Sequence, residues 1–160
     1  MSYLTGLQEL RDTQALTVSV QATYQPGTIF VHRNGNNLGL VQYIQLDNNG
    51  CSQGESLVTN YATLVSYSMA KASTDDQHSR SLRGIACATI ASQYFGFMHI
   101  GGYAEKADIS MTVASGDFLS LSGSTAGKLT GLQASPHAAA IARTAIATGV
   151  GSVTMIGVWG

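Results

Sequence analysis

The chain reads as an all-β protein, a sandwich or barrel-like fold of about ten short strands with a short N-terminal arm or helix. Two observations predict this, and a third bears on what the surface does. Apolar and polar residues alternate with a period of two along much of the sequence, as strands with one face in a core require. Gly, Asn and Ser interrupt these runs at short intervals, with 18 glycines but only 2 prolines in 160 residues. Only 11% of the residues carry charge, against about 25% in an ordinary soluble domain.

The elements follow in order. Residues 1–13 form an N-terminal arm, and residues 14–160 a single β domain. In the arm, Tyr3 or Leu4, then Leu7 and Leu10, have helical spacing, and Thr5-x-x-Gln8 fits a capping box. The segment is either one helical turn over the open end of the domain or an arm reaching onto a neighbouring subunit. Leu16 to Tyr24 alternates for nine positions and predicts a strand. Pro26-Gly27 punctuates it. Thr28 to Arg33 and Leu38 to Leu46 predict a hairpin turned at Asn34-Gly35. Asn48-Asn49-Gly50 is the next turn. Leu57 to Met69 holds one long or two short strands, with Tyr61, Thr63, Val65 and Tyr67 on one face.

Lys71 to Ser81, with Lys71, Asp75, Asp76 and Arg80, reads as a solvated loop. Leu82 to Ala91 and Gln93 to Ile100 predict adjacent strands joined near Ser92. Ala107 to Val113 alternates again, Ser115-Gly116-Asp117 turns the chain, and Phe118 to Leu121 is short. Ser122 to Gly127 links it to a further strand over Lys128 to Gln133. The alanine-rich run from His137 to Ile146 favours helix by propensity. It equally predicts a strand paired across Gly149-Val150-Gly151 with Ser152 to Trp159, and the β-branched, aromatic closing run favours that hairpin.

Composition narrows the function. The net charge of −1 provides no basic footprint for nucleic acid. No apolar run approaches the roughly 18 residues that cross a bilayer, so no membrane partner is expected. The N-terminal stretch lacks the cationic start and apolar block of a secretory signal. Synthesis in a cytoplasm and reduced, buried Cys51 and Cys87 are therefore expected. A near-neutral surface tends to associate, which points to a protein whose exterior is covered by other chains.

No catalytic signature emerges. Gly123 to Lys128 resembles a phosphate loop, but its spacer is one residue short and Leu129 stands where Ser or Thr must bind magnesium. His32, His78, His99 and His137 are scattered and form no zinc spacing. Asp75, Asp76, His78 and Ser79 crowd one loop and cannot converge as a triad. Asp47, Asp108 and Asp117 border turns, where Asp bonds its own backbone. No catalytic residue, cofactor, metal or small-molecule substrate is expected. In Tyr94-Phe95-Gly96-Phe97 the neighbouring side chains face opposite ways. Phe95 and Phe97 therefore either fill a core or meet a partner.

The order of motifs from Leu82 carries a resemblance. The chain reads LRGIACATIASQYFGFMHIGGYAE, then TVASGDFLSLSGSTAGKLTGL, then IARTAIATGVGSVTMIGVWG. With Pro26-Gly27, Asn34-Gly35 and VQYIQL before it, this resembles the small all-β head decoration or cement proteins of tailed bacteriophages over residues 25–160. The resemblance implies a virion protein bound to the outside of the capsid. Its partners would be the major capsid protein and its own copies, most simply a homo-trimer, with Tyr3, Leu4, Leu7, Leu10, Phe95 and Phe97 as interface residues. A tail, neck or fibre component and a carbohydrate-binding β-sandwich are the alternatives, with a hydrolase the weakest.

Overall fold

The computed structural model describes residues 8–60, 67–74, 82–132 and 138–156. These form an all-β fold with a single helical turn. Strand β1 (Glu9–Arg11) leads into α1 (Asp12–Ala15), then β2 (Ile29–Asn34) and β3 (Asn37–Leu46). Four strands follow: β4 (Ser56–Thr59), β5 (Ser68–Lys71), β6 (Leu82–Ala86) and the long β7 (Phe95–Ile109). The chain continues through β8 (Phe118–Leu121), β9 (Leu129–Gly131), β10 (Ala140–Ala142) and β11 (Gly149–Met155).

The strand pairings close on themselves twice. One ring runs β3-β5-β4-β6-β7 and back to β3, and the other runs β7-β11-β10-β8-β9 and back to β7. The second closure is a single parallel pair, Ile109 with Leu129. Each ring has its own core. Ile44, Leu46, Leu57, Met69, Ala86 and Met98 fill the first, one or more from every strand in it. Ala107, Ile109, Leu119, Leu129, Ala140 and Val153 fill the second, where Val58, Leu82 and Ile85 of the first ring also pack.

A third cluster lies outside the first ring. The β2-β3 hairpin and the segment before it cover one face of β3 and β7, burying Leu10, Phe30, Val41, Tyr43 and Phe97. The rings there meet edge to face, which suits their quadrupoles. Tyr24 and Phe30 are 4.9 Å apart between centroids, and Phe30 and Phe97 are 5.7 Å apart.

Strand β7 serves both rings because it changes partner midway. Phe95 to Gly102 pairs with β3, and Gly102 to Ile109 pairs with β11. Gly102 sits at the change with φ +67°, and a side chain there would strike the Leu38 carbonyl at 2.7 Å. Gly39 faces it across the pairing. The sequence reading ended one strand near Ile100 and began another at Ala107; the structure instead runs one strand through both.

The strands over Phe118 to Leu121 and within Lys128 to Gln133 form as expected. So does the C-terminal hairpin: Ala140 pairs with Met155 and Ala142 with Val153. Its connection lies at Arg143 to Thr148, because Gly149 to Gly151 already pairs with β7. The first hairpin closes one residue later than predicted, with Asn34 opposite Asn37.

The strand predicted over Leu16 to Tyr24 does not form. Its alternation is real, and Val18 and Tyr24 pack inward, but Leu16 and Val20 are exposed. A strand needs a partner edge, and β1 already occupies the outer edge of β2 in parallel register. The run keeps one bridge, Ser19 to Phe95. The helical turn predicted before residue 13 is also displaced. Leu10 lies on β1 and the turn begins at Asp12. Tyr3, Leu4, Leu7, Tyr61, Thr63, Val65 and Asp75 to Ser81 lie outside the described residues.

The Gly39 site yields a test of the double-ring arrangement. An added Cβ at Gly39 would lie 2.5 Å from the Tyr103 carbonyl oxygen, a backbone atom that cannot swing aside. Gly39→Ala is expected to cost about 2 kcal/mol or more, measured as a lowered urea midpoint with unchanged slope.

Candidate functional site

Of the interface residues expected from sequence, the structure places three. Leu10 is fully buried and Phe97 is 2% exposed, both inside the aromatic cluster of this same chain. They are core residues and cannot front an interface. The reason is parity: Phe30, Tyr43 and Phe97 all point to the face that β1 and β2 cover. Phe95 is half-buried and stacks on Tyr43 at 5.9 Å and 13°. Among the described residues, Leu10, Phe95 and Phe97 therefore do not form one exposed surface.

An apolar surface does exist elsewhere. Across β8, β10, β11 and β7, Phe118 opposes Ile141, Ile141 opposes Thr154, and Thr154 opposes Tyr103. Their neighbours Leu119, Ala140, Val153 and Ala104 are fully buried. By alternation this row lies on the outer face of the second ring. Phe118 is 52% exposed and Ile156, just past β11, is 48% exposed. Arg143 reaches this row, with its guanidinium 4.9 Å from the Tyr103 ring centroid. Sequence reading passed over Phe118 as part of a short strand. The signal was present in the alternation Phe118-Leu119, where a large aromatic must face outward if Leu119 faces the core.

The polar chemistry gathers at a second place. His32 of β2 and His99 of β7 are both buried, with ring centroids 5.2 Å apart. They continue the rung made by Phe30 and Phe97, so each strand carries the same aromatic-x-His step, Phe30-Val31-His32 and Phe97-Met98-His99. That repeat was the sequence signal for the pairing, which the scattered numbering concealed. The two imidazoles line a cavity of about 100 Å³ together with Ala15, Leu16, Gln53, Cys87, Glu105 and Lys106. Gln53 donates from Nε2 to the Cys87 carbonyl at 2.9 Å and accepts from the Lys106 ammonium at 3.3 Å. Among the described residues, the His99 Nδ1 has no hydrogen-bond partner. Burial first, and then the charge of His32, hold the His99 imidazole down at about 3.

Other candidates resolve as local structure. Asp47 accepts the Asn49 N–H at 3.0 Å and Asp117 the Ala114 N–H at 2.7 Å, both as turn residues. Asp108 pairs with Lys128 at 3.2 Å. Ser122 Oγ accepts the N–H groups of Ser124 and Thr125, which makes the phosphate-loop look-alike a side-chain-capped turn. Cys51 and Cys87 are both buried thiols. Among the described residues, no three His, Cys, Asp or Glu side chains are placed to hold a metal ion. His78 and His137 lie outside the described residues. The chain matches no known protein-family model and no curated protein.

Two predictions follow from the buried groups. Burial pushes the Cys51 thiol up to about 11. At pH 8.5 its alkylation in the folded chain is expected to be slower than in the urea-unfolded chain by on the order of 100-fold, read by peptide mass spectrometry. For His99, the unfolded imidazole takes a proton near its ordinary 6.5, whereas the folded one resists until about 3. The unfolded state thus binds more protons in that interval. Stability should be level above pH 6.5 and fall below it, by up to about 1.4 kcal/mol per pH unit. Urea midpoints across pH 7.5 to 4.5 should decline more steeply for the wild type than for His99→Gln, and parallel profiles would refute the assignment.

Proposed function

We propose that this chain is a structural protein of an assembled particle, and specifically a decoration or cement protein bound to the outside of a phage head. The observation that carries the reading is the outward row Phe118–Ile141–Thr154–Tyr103, with Ile156 beside it, on a chain only 11% charged. Large apolar side chains rimmed by polar neighbours mark protein contact surfaces. The motif order from Leu82 onward supports the particular setting.

The chemistry of such a role is contact alone. A copy that spans adjacent capsomers gains interface area only when the shell holds them at the right separation. A standard interface buries roughly 1,600 Å² in total. Because one copy touches several shell subunits, and its own sister copies, the linked contacts multiply in strength without any new chemistry. Phe118 and Tyr103 suit the centre of such a contact, since aromatic residues dominate interface energetics. Arg143, whose guanidinium lies 4.9 Å from the Tyr103 ring centroid, adds a cation at the edge of that row.

Phe118→Lys tests the reading. The side chain points outward, so the fold should survive with a change of less than about 0.5 kcal/mol. Light scattering on the wild type is expected to give a closed oligomer, and co-sedimentation with purified phage heads should retain it. The variant should lose shell binding by tenfold or more. A wild type that stays monomeric and never sediments with heads would remove the proposal.

A further inference from the structure

We propose that Asn34 is a self-modifying residue: in the folded chain it deamidates through Gly35, while the second Asn-Gly step, Asn49-Gly50, is held inert. Asn followed by Gly suits this reaction because no Cβ hinders the attacking backbone nitrogen. The Gly35 nitrogen gives its proton to solvent base and attacks the carbonyl carbon of the Asn34 side chain. A five-membered imide forms, and the amide nitrogen leaves as ammonia. Water then opens the ring at either carbonyl, leaving aspartate or its β-linked isomer. One water is consumed and one ammonia released.

The sequence holds two such steps, and the fold treats them differently. Gly35 lies in the two-residue turn between Asn34 and Asn37, exposed, with φ +57°. A side chain there would meet nothing within 4 Å, and among the described residues its N–H has no backbone partner. The turn peptide is therefore free to rotate as ring closure requires. The Asn34 amide is held by one bond, from Nδ2 to the exposed Glu105 carboxylate at 3.1 Å. Gly50, by contrast, is buried, and an added Cβ would lie 2.8 Å from the Ile90 carbonyl oxygen. The next residue, Cys51, exchanges both backbone bonds with Ile90 at 2.9 Å. Asp47 accepts from the Asn49 N–H at 3.0 Å and from its Nδ2 at 3.3 Å. Ring closure at Asn49 needs that turn to be lifted off its neighbours first.

The product forms where it acts on the fold. The β3–β7 ladder ends at Gly39 and Gly102, so the hairpin tip, residues 34–37, lies beyond it. The Asn34–Glu105 bond ties this tip to the half of β7 that pairs with β11. Deamidation replaces the donor by a carboxylate facing Glu105, so the bond is lost and two like charges oppose each other. It also adds a negative charge to a chain whose net charge is −1.

Peptide mass spectrometry on the full chain, incubated at mildly alkaline pH with and without urea, tests the site. In the folded chain Asn34 should convert faster than Asn49 by on the order of tenfold or more, since Asn49 must first open its turn. In urea the two should react alike. A folded-state ratio no larger than the ratio in urea, or no reaction at Asn34, overturns the proposal. Asn34→Asp stands in for the product and tests the consequence. Hydrogen exchange of the hairpin-tip amides should quicken by about threefold, and adding Glu105→Gln, which returns a donor opposite the carboxylate, should restore it. No quickening, or quickening that Glu105→Gln leaves in place, overturns the role given to the Asn34–Glu105 tie.

Discussion

Both β-rings are closed by one strand, and everything else in the fold is arranged around its change of partners. The first half of β7 completes the ring with β3, and its second half completes the ring with β11. A strand can do this only where it bends sharply without losing its ladder. Gly102, in the left-handed region, and Gly39, pressed against the β7 backbone, permit that bend. The register shift between Leu40 and Val41 takes up the remaining offset. The cores on either side are filled by residues of alternating parity from the same strand: Met98 in one, Ala107 and Ile109 in the other. Loss of the bend would separate the cores, not merely weaken one of them.

The same bend explains where the chain is tightly built and where it is loose. The rings are sealed by mutual pairing, so their strands have partners on both edges. The β1–α1 layer has no place in either ring. It rests on the outer face of the first, secured through Leu10 and the aromatic cluster. Two cavities and the buried His32 and His99 lie beside it. Packing quality thus falls from the shared strand outward to the N-terminal layer.

Local chemistry made most of the strands legible in the sequence, since β2, β3, β8 and β11 announce themselves by alternation and by the turns between them. What could not be read was partnership. The run from Leu16 to Tyr24 alternates as well as any true strand, yet it had no free edge to join once β1 took the side of β2. The Gly101-Gly102 pair looked like an exit from a strand because the period breaks there; only the pairing of β3 and β11 shows that the strand continues. The histidine pair was hidden for the same reason. Residues 32 and 99 meet because two aromatic rungs align across the layer, which is a matter of register between distant strands. Phe118 was readable from parity alone, and its outward direction follows once Leu119 is assigned to the core.

Low charge and ring closure belong together. A protein with few charges lacks the usual defence against edge-to-edge aggregation, in which Lys and other charged side chains blunt an open strand. Closing both sheets removes those edges, so an uncharged surface carries little risk of runaway pairing. Among the described residues, the edge left open is β1, and there the sequence spends its charges: Glu9 and Arg11 are both exposed, and the Arg11 N–H is satisfied by Gln14 Oε1 at 3.0 Å. Apart from β1, what the closed rings present to solvent is side-chain faces such as the Phe118 row, not open strand edges.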